Sequence, residues 1–109
     1  MRSMKIEQEG DSTVVVFIDR HLSDEVRIME VGDELTELAS KLSAEQTFVL
    51  DFQNVDYCSS AMVGQLVLLR NATERDGVTL RLRNISDTIR TILQTMHLDK
   101  VFKLDRPDT

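Results

Sequence analysis

The chain has 109 residues, of which 41% are hydrophobic and 29% are charged. This supplies one hydrophobic core, so we expect residues 1–109 to form a single domain with a polar tail at 105–109. A formal net charge of −6 argues against nucleic acid and anionic membrane surfaces as partners, because both would repel an acidic protein.

No apolar run approaches the roughly 20 residues that a membrane span requires. The first ten residues, MRSMKIEQEG, contain no apolar segment typical of a secretory signal. Cys58 is the only cysteine, which excludes an internal disulfide framework. Together these features predict a cytoplasmic protein without direct membrane insertion.

Two strands are predicted at the start of the chain. Residues 4–9 (MKIEQE) form a weak candidate, and residues 13–18 (TVVVFI) are continuously apolar and largely β-branched, as in a strand inside a sheet. The short Gly-containing link between them predicts an antiparallel hairpin. A loop at 19–23 follows.

The next segment predicts a helix with an irregular beginning. Leu22, Val26 and Met29 are spaced helically, and a second helical set follows Gly32. Because glycine inside a helix costs roughly 1 kcal/mol relative to alanine, we expect irregular first turns and a firm helix over residues 30–42.

The second half of the chain repeats a strand and a helix twice. Residues 47–52 predict a strand, after which Ser59 or Ser60 caps a helix running to about residue 76, with Gly77 placed to end it. Residues 78–83 (VTLRLR) alternate as in a strand covered mainly on one side. A capped helix through Met96 follows, with a last short strand at 101–104.

The predicted order is therefore β-β-α-β-α-β-α, with a possible final β. Strands separated by helices pair in parallel through right-handed crossovers. The expected fold class is α/β, with a small, mixed and mostly parallel sheet and helices packed over it.

Residues that could support catalysis or ligand binding are scarce. His21 and His97 are the only histidines, and neither stands at a catalytic spacing from Cys, Asp or Ser. The HExxH, CxxC, Walker and GxGxxG motifs do not occur, so we expect no catalytic residue, no metal and no cofactor. Cys58 precedes a predicted helix start, where a thiol can be reactive, but a small buried filler is the commoner role.

The helix after residue 59 has more apolar residues than one face of a sheet requires. Met62, Leu66 and Leu69 form one stripe, Val63 widens it, and Leu68 lies on the opposite side. Either deep burial or an exposed patch for a partner would account for the surplus.

The pattern of residues around the second predicted helix resembles that of a known family. The strand ending on Asp51, followed by Tyr57, two serines and an apolar Gly-containing helix, resembles the STAS domains of anti-sigma-factor antagonists. The TVVVFI strand and the LDKVF segment at 98–102 are similar to that family as well. The resemblance therefore spans nearly the whole chain and implies a STAS-like fold.

The resemblance implies a phosphorylation switch at the start of the second helix. Ser60 matches the serine that is phosphorylated in the family, with Ser59 as second choice. In the family, an anti-sigma factor that is also a Ser/Thr kinase of GHKL type carries out this step. The unphosphorylated form binds the anti-sigma factor and frees the sigma factor, and a Ser/Thr phosphatase restores the binding form.

Two departures from the family pattern accompany the match. Ser59 stands where the family usually has Asp, and Met62 stands where it often has Gly. An alternative function is therefore a non-phosphorylated STAS interaction subunit of a transporter or signalling scaffold complex. The partner-binding residues implied by the resemblance are Asp19, Arg20, Asp24, Ser59, Ser60, Met62, Val63, Gln65 and Leu66.

Overall fold

The computed structural model describes residues 4–105, so all of the predicted tail except Asp105 lies outside the described residues. Strands and helices alternate along this part of the chain. In order they are β1 (Met4–Glu9), β2 (Ser12–Phe17), β3 (His21–Leu22), α1 (Glu25–Ser40), β4 (Thr47–Asp51), β5 (Tyr57–Cys58), α2 (Ser60–Arg75), β6 (Thr79–Arg83), α3 (Asp87–Thr95) and β7 (Lys103–Leu104).

Five of the strands form one sheet in the order β1-β2-β4-β6-β7. Strand β1 pairs with β2 in antiparallel fashion, and the other three pairings are parallel. Each crossover moves in the same direction along the sheet, so right-handed connections place α1, α2 and α3 on one face. The predicted α/β class and the mixed, mostly parallel sheet are confirmed.

The core lies between this helical layer and the inner face of the sheet. Phe17 and Phe52 are in contact there, with ring centroids 4.9 Å apart. Alternate residues of the parallel strands point into the layer, because side chains along a strand alternate between its faces. The inward residues of the central strands are Val15, Phe17, Phe48, Leu50, Leu80 and Leu82.

Helix α1 begins earlier and more regularly than predicted. Its N-cap is Asp24, whose carboxylate accepts a hydrogen bond from the Arg27 backbone N–H at 2.9 Å, and the helix continues without interruption to Ser40. The prediction of irregular first turns is therefore wrong. Gly32 is buried within the helix, and a Cβ atom there would lie 2.3 Å from the Gln65 Oε1 atom of α2. The glycine leaves room for the end of the Gln65 side chain where α1 and α2 meet.

Two short strands are not predicted by the sequence. Strands β3 and β5 have two residues each and form a separate parallel pair outside the main sheet. Strand β7 is also shorter than the predicted segment at 101–104. Ser86 caps α3 by accepting a hydrogen bond from the Ile89 backbone N–H.

The sheet face opposite the helices has a small apolar centre covered by charged side chains. Val14, Val16 and Val49 are buried there. Asp51, whose side chain is only 4% exposed, lies beside them and forms an ion pair with Arg83 at 3.2 Å. Arg83 contacts the Oδ2 atom of this carboxylate, and the Oδ1 atom accepts hydrogen bonds from the Asn84 side chain and from the Gln53 backbone N–H.

Arg83 extends this network to the edge of the sheet. A second ion pair joins it to Glu9, whose side chain is 51% exposed, at 3.4 Å. The hydrogen bond with Glu9 is the largest influence raising the pKa of Arg83; burial opposes it, and Asp51 adds to it. For folding stability we assign the larger role to Asp51, since its pair is shorter and is shielded from water.

The different burial of Asp51 and Glu9 predicts different losses of stability when each of these partners of Arg83 is removed. We expect Asp51→Ala to lower the free energy of unfolding by about 3 kcal/mol, because it leaves the Arg83 guanidinium and the Asn84 amide without their buried acceptor. Glu9→Ala removes an exposed partner of the same arginine and should cost less than about 1 kcal/mol. Urea denaturation followed by circular dichroism measures both; equal losses would contradict this assignment.

Candidate functional site

The two short strands bring the beginnings of α1 and α2 together. Leu22 in β3 pairs with Cys58 in β5, and both side chains are fully buried. The Ser59 backbone N–H then donates a hydrogen bond to the Leu22 carbonyl oxygen at 3.0 Å. Each helix starts within three residues of its strand, so the two N-termini lie side by side at the carboxyl end of the parallel strands.

The two serines at the start of α2 have different structural roles. Ser59 is the N-cap, and its Oγ atom accepts a hydrogen bond from the Met62 backbone N–H at 3.3 Å. Ser60 is the first residue of the helix and is exposed. The Ser60 hydroxyl is therefore accessible to solvent and is not needed for capping.

The electrostatic setting differs between the two helix starts. Helix α1 has a carboxylate cap and Glu25 in its first turn, which compensate the positive end of its dipole. The first turn of α2 contains no acidic residue. The first backbone N–H groups of a helix lack intrahelical acceptors, so this end of α2 can receive an anionic group on Ser60.

Three of the predicted partner-binding residues are not available at the surface. Met62, Val63 and Leu66 each have 0% exposure and belong to the main core. The prediction that they contact a partner is wrong, because the apolar stripe of α2 packs onto the sheet. Gln65 is half-buried and touches α1 at Gly32, so it lies at the junction of the two helices.

The predicted residues of the loop before α1 lie at the same end of the molecule, and each has a local partner. Asp19 is half-buried and forms an ion pair with Arg27 at 3.1 Å. Arg20 is exposed and pairs with Asp56 at 2.7 Å, and this hydrogen bond raises the pKa of the guanidinium. The third residue, Asp24, is the exposed cap of α1.

Several exposed apolar residues of α1, α2 and β5 are absent from the predicted set of partner-binding residues. Val26 and Met29 were placed in the apolar spacing of α1 but are 68% and 64% exposed. Leu68 is also 64% exposed, and the helical spacing already placed it opposite the buried stripe of α2. Tyr57 is exposed as well and meets His21 edge to face, with centroids 6.5 Å apart.

The described residues offer little for ligand chemistry of other kinds. Residues 4–105 contain no group of three or more His, Cys, Asp or Glu side chains that could hold a metal ion. None of the helices in that span is long and apolar enough to cross a membrane. Cys58 is buried against the core, and this burial raises the pKa of its thiol to about 11.

Comparison with known proteins agrees with this architecture. The family model for the STAS domain matches residues 5–107, so the chain belongs to the STAS domain family. A curated STAS-domain containing protein of Pseudomonas aeruginosa is 32% identical over 57 residues, which are 52% of this chain and 56% of that protein. The match thus spans little more than half of either chain.

Solved structures share the fold at low sequence identity. A STAS domain protein from Planctomyces limnophilus, described as an anti-sigma-factor antagonist, has a TM-score of 0.86 at 18% identity, covering 96% of this chain and 91% of its own. The anti-sigma factor antagonist SpoIIAA in its unphosphorylated form gives 0.75 at 16% identity, with 94% and 88% covered. A sulfate transporter family protein from Wolinella succinogenes gives 0.71 at 15% identity, with 88% and 77% covered.

The position of Cys58 predicts an unreactive thiol. A pKa raised from 9.0 to about 11 lowers the thiolate fraction near pH 8 by about a hundredfold. We therefore expect alkylation by iodoacetamide at pH 8 to be at least about a hundredfold slower in the native protein than in guanidinium chloride. Mass spectrometry of timed samples measures the rates, and rapid labelling of the native protein would argue against a sealed thiol.

The two serines should respond differently to substitution. We expect Ser59→Ala to lower the free energy of unfolding by about 1 kcal/mol, since it removes the N-cap of α2. Ser60→Ala replaces an exposed residue with a better helix former and should change stability by less than about 0.5 kcal/mol. Thermal or urea unfolding of the two variants checks this, and the reverse ranking would show that Ser60 is the effective cap.

Proposed function

We propose that this protein is an anti-sigma-factor antagonist regulated at Ser60. In its unphosphorylated form it binds an anti-sigma factor, which is also a Ser/Thr kinase of GHKL type, and thereby frees a sigma factor. Phosphorylation of Ser60 by that kinase ends the interaction, and a Ser/Thr phosphatase restores it. The protein acts as a cytoplasmic binding module in transcription regulation and catalyses no reaction itself.

The observation that carries this proposal is the accessible Ser60 hydroxyl at the first position of α2. The neighbouring Ser59 supplies the cap, and no acidic side chain occupies the first turn. A kinase can reach such a hydroxyl without opening the fold. The likeness to SpoIIAA, which is described in both an unphosphorylated and a phosphorylated form, supports the same assignment.

A phosphate at Ser60 would change binding rather than folding. It adds a charge of about −1.5 to −2 at pH 7, which the positive end of the helix dipole stabilises. The cap through Ser59 and the buried stripe beneath it remain in place. The added charge instead acts at the surface, where a loss of about 3 kcal/mol in binding free energy weakens affinity by roughly a hundredfold.

The burial pattern narrows the surface assigned to the partner. Around Ser60, the accessible members of the predicted set are Arg20 and Asp24, with the half-buried Ser59 and Gln65 between the helices. Asp19 contributes by holding Arg27. The buried residues of α2 act only through the position they give to the helix.

A second function is favoured by two observations. The Wolinella protein with the same fold is described as a sulfate transporter family protein. Ser59 also replaces the Asp that the phosphorylated family members usually have beside the acceptor serine. In this alternative the chain is a non-phosphorylated interaction subunit of a transporter or signalling scaffold. A GHKL-type kinase gene beside its own gene would favour the first function, and transporter subunit genes would favour the second.

The proposed switch predicts a site-specific reaction. With the GHKL-type kinase encoded nearest to its gene and with ATP, we expect one phosphate, located on Ser60 by mass spectrometry and absent from Ser60→Ala. Ser60→Asp should bind the same kinase at least about tenfold more weakly by calorimetry, since it places a fixed charge at the interface, whereas Ser60→Ala keeps binding.

Ser59→Ala is the matched control for this experiment. It removes the neighbouring hydroxyl, so it should still be phosphorylated at Ser60 once its stability is taken into account. Modification at another residue, or equal kinase affinity of Ser60→Asp and Ser60→Ala, would contradict the switch.

A further inference from the structure

The exposed junction between α1 and α2 combines apolar and acidic residues that the Ser60 switch does not use. The helices follow parallel strands and therefore run in the same direction. They meet where Gln65 lies against Gly32. Met29 and Leu68 are each three residues from this contact, which places each roughly 60° around its helix, on the side away from the buried stripe.

We call this surface the outer seam and define it by Val26, Met29 and Asp33 on α1 with Ala61, Gly64 and Leu68 on α2. All six residues are exposed. Along the helix direction, Met29 and Leu68 are offset by about 9 Å at a rise of 1.5 Å per residue. One apolar element of a partner can therefore contact both.

The charges along the outer seam are mainly acidic. Arg27 is the only basic residue within α1, and it pairs with the half-buried Asp19 at 3.1 Å and with Glu30 at 3.4 Å. Glu30, Asp33 and Glu37 are exposed along the solvent side of the same helix, and Glu37 also pairs with Lys41 just after the helix at 3.8 Å. On the other side of the seam, residues 60–69 of α2 carry no charge at all. The outer seam is thus an apolar surface beside a row of acidic side chains (Glu30, Asp33 and Glu37), which we call the acidic row.

We propose that the outer seam docks an amphipathic helix of the partner that carries Lys or Arg along one edge of its apolar stripe. This rests on the proposed function to the extent that the chain binds a protein partner at this end. The apolar stripe would cover Met29 and Leu68, whose large exposed side chains stand on either side of the junction. The basic edge would face the acidic row, where opposite charge favours one orientation of the bound helix.

The same charges argue against other occupants. A second copy of the chain would meet the seam through a two-fold axis, which sets the acidic row against itself or against uncharged α2. An anionic bilayer surface would be repelled by the row. A basic amphipathic helix satisfies both the apolar and the acidic parts.

A pair of synthetic peptides tests the proposal without the native partner. Both are 18-residue, amidated, helix-forming peptides with the same leucine stripe; one has Lys and the other Glu along its edges. We expect the Lys peptide to bind in low salt, with amide shift changes in 15N NMR confined to α1 and α2. The Glu peptide should bind at least about tenfold more weakly, because it places like charges together.

Matched variants locate the binding surface. Asp33→Lys and Met29→Asp should each weaken Lys-peptide binding about tenfold or more. Asp11→Lys makes the same change in net charge in the β1–β2 turn, at the opposite end of the sheet, and Ile18→Asp alters a comparably exposed apolar residue outside the seam. These two controls should change the affinity by less than about twofold.

Three results would overturn the proposal. They are no binding of the Lys peptide at millimolar concentration, equal effects of Asp33→Lys and Asp11→Lys, and self-association in analytical ultracentrifugation that Leu68→Asp abolishes. The phosphorylation test of Ser60 uses neither peptide nor seam variants. A negative peptide experiment therefore does not contradict the proposed function. Peptide binding to the outer seam can likewise be measured whether or not Ser60 is phosphorylated.

Discussion

The site depends on the parallel pairing of β3 with β5. Only two residues from each strand take part, but Leu22 and Cys58 are sealed in the core, and the hydrogen bond from Ser59 N–H to Leu22 carbonyl continues the pairing to the helix start. This pairing holds two helix N-termini next to each other. It lets a hydroxyl at the start of α2 and the residues before α1 form one surface.

Helix α2 separates its roles around its circumference. One side, which includes Met62 and Leu66, is buried against the sheet, and the other presents Ser60 and Leu68 to solvent. In the proposed switch, a phosphate on the outer side alters binding while the buried side keeps the fold intact. Because Ser59 is the N-cap of α2, the Ser60 side chain is not needed to cap the helix.

Periodicity in the sequence predicted most of the fold because long elements carry many repeats of their pattern. The alternation of β6 and the apolar spacing of α3 are clear examples. Strands β3 and β5 are too short for any period to be recognised, so the sequence does not predict them. The predicted start of α1 is too late because the cost of Gly32 is taken to interrupt the helix, whereas the helix continues through it from the cap at Asp24.

The candidate site could be predicted only in part, for a related reason. The family pattern pointed to Ser60, and the accessibility of that residue agrees with the role given to it. The same pattern named Met62, Val63 and Leu66, whose side chains face the sheet. Helical spacing places Leu68 opposite the stripe that contains Met62 and Leu66. The sequence alone does not show which of these two apolar sides packs on the sheet, because that depends on how the neighbouring helix α1 is placed.

The close contact at Gly32 also has an implication for how partner preference can diverge. The end of the Gln65 side chain occupies the space that a Cβ atom at residue 32 would take. A larger residue there would push that amide to a new position. A substitution at the buried residue 32 would in this way alter the proposed docking surface without changing any residue exposed on it.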